Sequence, residues 1–104
     1  MSDAFVALLR IDLHFPAAHS LKAKRSELQS VKAHLHQRLG AAVAEVDHQD
    51  LWQRATLAAA LCSGSVAHLD RQVDGLEAWL DARYPEGAVV QRTLASWEDL
   101  RGVA

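Results

Sequence analysis

The chain has 104 residues, half of them hydrophobic, which is about one domain's worth of sequence and room for one core. A domain of this size hides roughly 60 to 70% of its unfolded surface, enough to fold without metal or disulfide support, and the single cysteine, Cys62, excludes an internal disulfide. The net charge of −2 argues against a general nucleic-acid binder, but residues 1–40 carry six basic and three acidic side chains, against five and ten in residues 41–104.

The opening MSDAFVALLRIDLH has no basic leader, and Arg10 and Asp12 break its apolar stretch before signal-peptide or membrane-spanning length accumulates. A cytoplasmic chain without membrane contact is expected. Phe5, Ala7, Leu9, Ile11 and Leu13 alternate with Val6, Leu8, Arg10, Asp12 and His14, the two-residue period of a strand near 4–14. Pro16 ends it. Ser20 is then placed to cap a helix on which Leu21, Leu28, Val31, Leu35 and Leu39 recur at helical spacing, and Gly40 stops that helix.

AAVAEVDH reads as a second strand and QRATLAAALC as a third, with Gln49 and Asp50 in the turn between them. Alanine is a poor strand former, but the segment is short, follows a hairpin-like polar turn and is closed by SGS. Cys62, inside this apolar run, is expected to be a buried thiol. Ser65 caps a second helix, Val66 to Arg83, whose inner stripe is Val66, Leu69, Val73, Leu76 and Leu80. Tyr84, Pro85, Glu86 and Gly87 form a loop, AVVQRTLASW a fourth strand, and residues 98–104 a fraying acidic tail. Trp79 and Trp97 are expected as packing aromatics.

The order strand, helix, strand, strand, helix, strand is the ferredoxin-like α+β pattern: one domain over 1–104, core about 4–97, with an antiparallel sheet of order 4-1-3-2 and both helices on one face. That topology brings HFPAAHSLKAKR to the same end of the sheet as DHQDLW. Lys22, Lys24 and Arg25 then lie in the first turns of the first helix, beside its free N–H groups, as a cradle for phosphate or carboxylate, such as that of an RNA backbone, or as a solvated helix face. Trp52 and Arg54 could stack a base or anchor a partner, or serve as a lid with Arg54 paired to Glu45 or Asp47.

Asp47, His48 and Asp50, with Asp12, His14 and His19 across the gap, offer metal-binding or proton-relay chemistry. Strand alternation, however, should send Asp47 and His48 to opposite faces, and no closed ligand motif is present. No metal or other cofactor is therefore expected. The sheet face away from the helices should show Val6, Leu8, Arg10, Asp12, His14, Arg54, Thr56, Ala58 and Ala60. It lacks the aromatics of a sheet-based RNA platform and suits a sheet-to-sheet homodimer.

The blocks SLKAKR and AEVDHQDLWQRA, within HSLKAKRSELQSVKAHLHQRLG and VAEVDHQDLWQRATLAAALCS, resemble the YlxP-like family of small bacterial proteins of unknown function (domain of unknown function 503). The resemblance covers most of the chain and implies a ferredoxin-like fold with no established activity. Genes of that family often lie beside those for translation initiation and ribosome maturation, which implies an RNA or ribosome link by association only. Ala23 and Ser26 stand where family members tend to be charged, thinning the basic patch.

Two functions are expected from these readings. The first is a non-enzymatic accessory module that meets RNA or a ribosome or translation-factor surface through Lys22, Lys24, Arg25, His48, Trp52 and Arg54. The second is a small metal- or anion-dependent enzyme using Asp47, His48 and Asp50. A purely structural homodimer is the third possibility.

Overall fold

The computed structural model describes residues 3–102. It is an α+β fold of four strands and three helices: β1 (Phe5–His14), α1 (Leu21–Leu39), β2 (Ala42–Asp47), β3 (Arg54–Ser63), α2 (Val66–Arg83), β4 (Ala88–Ser96) and α3 (Trp97–Arg101). All strand pairs are antiparallel, and the sheet runs β2-β3-β1-β4, which from the other edge is β4-β1-β3-β2.

Alternation on the two central strands decides what is buried. Ala7, Leu9, Ile11 and Leu13 of β1 and Ala55, Leu57, Ala59 and Leu61 of β3 point to one side, where Leu28, Val31 and Leu35 of α1 and Leu69, Val73, Leu76 and Leu80 of α2 complete a single core. Each fully buried leucine or valine contributes about 1.5–3 kcal/mol. The alanine-rich β3 is a strand because ladders with β1 and β2 satisfy its backbone on both sides, which overrides its weak local propensity.

Both long helices are capped as their sequences predict. Ser20 Oγ accepts from the Ala23 N–H at 3.1 Å and Ser65 Oγ from the His68 N–H at 3.2 Å. Gly40 ends α1 in the left-handed region at φ 66°. Gly87 is required for a different reason: a Cβ there would lie 2.6 Å from the backbone oxygen of His14.

Four expectations change. The tail does not fray through residue 101, because Ser96 and Asp99 form a reciprocal capping box that starts α3. Trp97 is 57% exposed rather than packed, whereas Trp79 leans on the core and stacks on the His34 ring at 3.8 Å between centroids. Cys62 is exposed, since the period of β3 that turns Leu61 inward turns its neighbour outward. Leu21 is 36% exposed, and the inner stripe of α1 begins instead at Lys24.

Candidate functional site

Lys24 stands four residues before Leu28 and seven before Val31, so the helix that buries those two carries the lysine inward as well. Its side chain is only 2% exposed. Nζ donates to the carbonyl oxygen of His48 at 2.6 Å and of Gln49 at 3.4 Å, and lies 3.3 Å from Glu45 Oε2. Glu45 faces the helix because β2 alternates. Its Oε2 is buried without a well-directed hydrogen bond, and the ion pair is its compensation. An unpaired buried ammonium would cost several kcal/mol, so three oxygen neighbours are the condition for Lys24 to be there. The expected role of Lys24 as an exposed contact is thus corrected: it is a bolt between α1 and the β2–β3 turn.

The register shift between Glu45 and Asp47 and the left-handed backbone of His48 (φ 62°) overturn the expected alternation of Asp47 and His48. Both side chains lie on the same side, with His48 Nε2 4.0 Å from Asp47 Oδ2. Thr56 Oγ1 donates to Asp12 Oδ1 at 2.7 Å, so its oxygen accepts from His48 Nδ1, 3.0 Å away. The Thr56 hydroxyl proton is committed to Asp12 and the imidazole to holding the turn. His48 is therefore a support for the site.

A second staple closes the same end. Gln53 Nε2 donates to Pro16 O at 3.2 Å and Ala18 O at 3.4 Å, and Gln53 O accepts from the Phe15 N–H at 2.7 Å. With the turn fixed on two sides, Leu51 and Trp52 are left 46% and 53% exposed. Lys22, Arg25, Asp50 and Arg54 are exposed too, and His14 and His19 with them. Among the described residues Arg54 has no ion pair with Glu45 or Asp47.

The α2–β4 loop is at this end as well. β4 runs antiparallel to β1 and the Gly87 carbonyl accepts from the His14 N–H at 2.7 Å. There Tyr84 donates its hydroxyl proton to Glu27 Oε2 at 2.6 Å, while Arg83 Nε donates to Tyr84 Oη at 3.1 Å and the Arg83 guanidinium lies 3.5 Å from Glu27. Burial, and then the bond to Glu27, push the Tyr84 phenol up to about 12. The sequence reading missed this cluster, although the strand order that placed the hairpin also places the start of β4 beside the end of β1.

His14 is the hub of the surface. It lines three hollows, of about 220, 580 and 490 Å³. The first has Phe15, Ala18 and Tyr84 in its wall, the second Arg83, Tyr84 and Glu86, the third Asp50, Trp52 and Arg54. Among the described residues, no group of three or more His, Cys, Asp or Glu side chains stands close enough to hold a metal ion. No helix among them is long and apolar enough to cross a membrane. The site can present cations, rings and hydrogen-bonding edges on a fixed frame.

Residues 6–93 match the family described as Protein of unknown function (DUF503). The chain belongs to this family. It is also 28% identical over 81 residues to the Uncharacterized protein YlxP of Bacillus subtilis (strain 168), a match covering 78% of this chain and 84% of that protein.

Tyr84 is the one tyrosine of the chain, so its ionisation can be followed by absorbance alone. The folded protein, with its fold monitored by circular dichroism, should ionise near pH 12 rather than near the ordinary value of 10. Glu27→Gln should bring the midpoint part of the way down, since burial remains. Because the folded value is raised, this group's contribution to stability is complete below about pH 10 and is lost as the pH rises through 12. A midpoint near 10 in the folded state would contradict the Tyr84–Glu27 bond.

Proposed function

We propose that the protein is a non-catalytic module that binds RNA at the end of the sheet where β1 stops, α1 starts and the β2–β3 turn folds over. The observation that carries the reading is the half-exposed Trp52 next to Arg54, on a turn bolted by Lys24 to a helix whose neighbouring Lys22 and Arg25 face solvent. An indole beside guanidinium and ammonium groups is suited to bases and phosphates together. The first turn of α1 has no acidic residue to neutralise its N-terminal dipole.

Part of the net negative charge lies away from this end. Asp70, Asp74 and Glu77 gather around Arg92 on β4, at 4.0, 3.1 and 2.8 Å. The order of elements, with both long helices contributing to one core on a single sheet face, also supports assigning the domain to the ferredoxin-like class.

A second reading concerns assembly: we infer a homodimer through the open sheet face. Leu8, 53% exposed at the middle of β1, faces a shallow hollow of about 210 Å³ floored by Ala42, Ala44, Ala58 and Ala60. Val89, paired with Asp12 and so on the same face, is 60% exposed. Small residues around one projecting leucine allow two such faces to approach closely.

Binding to a structured RNA fragment should weaken as salt rises, and Lys22→Ala with Arg25→Ala should flatten the slope of log K against log salt by roughly 1.5 to 2 without changing the melting temperature. Salt-independent affinity, or recovery of only a protein partner after nuclease treatment of an extract, would count against RNA. For the dimer, light scattering should give twice the chain mass of 11.4 kDa, and Leu8→Glu should return it to one. A monomeric parent protein would remove the dimer reading and leave the RNA reading intact.

A further inference from the structure

We infer that the RNA taken by this surface is single-stranded, with unpaired bases stacked on Trp52 and Tyr84 to either side of His14; this rests on the RNA reading above. The arrangement has a repeated composition. On one side of His14 a hollow of about 490 Å³ joins Trp52 to Arg54, and on the other a hollow of about 580 Å³ joins Tyr84 to Arg83. The Arg83 guanidinium lies 5.7 Å from the Tyr84 ring centroid. Each side thus sets a guanidinium beside an aromatic ring, that of Arg83 also lying 3.5 Å from the Glu27 carboxylate, and the exposed imidazole of His14 stands between them.

A base has an apolar face that stacks on a ring and a phosphate that seeks a cation, so ring and cation side by side suit successive nucleotides of a flexible strand. A duplex keeps its base faces covered by their neighbours, and exposing even one costs a few kcal/mol. For a duplex, cations alone would serve, and the rings and the apolar floor of Phe15, Pro16, Ala17 and Ala18 would have nothing to meet. Asp50 and Glu86, exposed at the rims, would repel a dense double row of phosphates. They can instead accept hydrogen bonds from the amino groups of unpaired bases. The Tyr84 hydroxyl is already spent on Glu27 and the ring packs edge-on against Phe15, 5.5 Å between centroids, which fixes it and leaves its exposed part for stacking.

The test is fluorescence anisotropy with a short labelled RNA of unstructured sequence and the duplex it forms with its complement, at one salt concentration. The single strand should bind at least about tenfold more tightly. Trp52→Ala should weaken single-strand binding roughly tenfold and leave duplex binding unchanged, while Tyr84→Phe, which keeps the ring, should bind as the parent does. Trp52 is half exposed, so its removal leaves the core untouched, and a melting curve checks this. Duplex bound as tightly as the single strand, or a Trp52→Ala variant that binds both unchanged, overturns the single-strand inference while the RNA reading stands. Binding of neither nucleic acid overturns both.

Discussion

The surface depends on one buried charge. Lys24 holds the carbonyls of His48 and Gln49 and the carboxylate of Glu45, and by doing so fixes a six-residue polar turn against the start of a helix. Without that ammonium, the buried Glu45 Oε2 would lose its ion-pair partner and the two carbonyls their donor. The left-handed His48 backbone, the Asp12–Thr56–His48 chain of hydrogen bonds and the Gln53 staple all presuppose the turn in this place. What solvent then sees is what this frame leaves over: Lys22, Arg25, Leu51, Trp52 and Arg54.

The same economy separates support from contact among residues of one chemical type. Three basic side chains fall within four positions of α1, yet helical geometry turns one into the core and two outward. Two histidines of the end behave likewise, His48 tied to Thr56 and His14 exposed among three hollows. Arg83 and Arg92 are both engaged by carboxylates, but Arg83 borders the hollows while Arg92 organises the acidic side of α2. Both signs of charge meet at this end, where Glu27, Asp50 and Glu86 stand among Arg83, Arg54 and His14.

The element order was legible because the two strong periods, two residues in β1 and near 3.6 in α1 and α2, are carried by unambiguous apolar residues such as Leu9, Ile11, Leu28 and Leu35. The convergence of the β1–α1 loop with the Asp47–Trp52 turn was legible too, because antiparallel pairing leaves it little choice. The role of Lys24 was not taken from the pattern, although it sits on the Leu28–Val31–Leu35 stripe at the right spacing; its charge outweighed its position in the reading. The His48 conformation was not available at all, since a bulge shifts every side chain after it and nothing in VDHQD marks one. The Tyr84 cluster was hidden by distance in sequence: Glu27 and Tyr84 are 57 residues apart and meet only through packing. The α3 cap was visible as Ser96 and Asp99 at the three-residue spacing, in a segment short enough to pass for a tail.

The most direct measurement is the stability of Lys24→Met beside Lys22→Met, by urea denaturation. If the ammonium of Lys24 bolts the turn to α1, Lys24→Met should lose about 3 kcal/mol, as expected when one partner of a buried ion pair is removed. The exposed Lys22→Met should stay within about 0.5 kcal/mol of the parent protein. Equal and small effects for both lysines would contradict the buried bolt and, with it, the fixed surface at this end of the sheet.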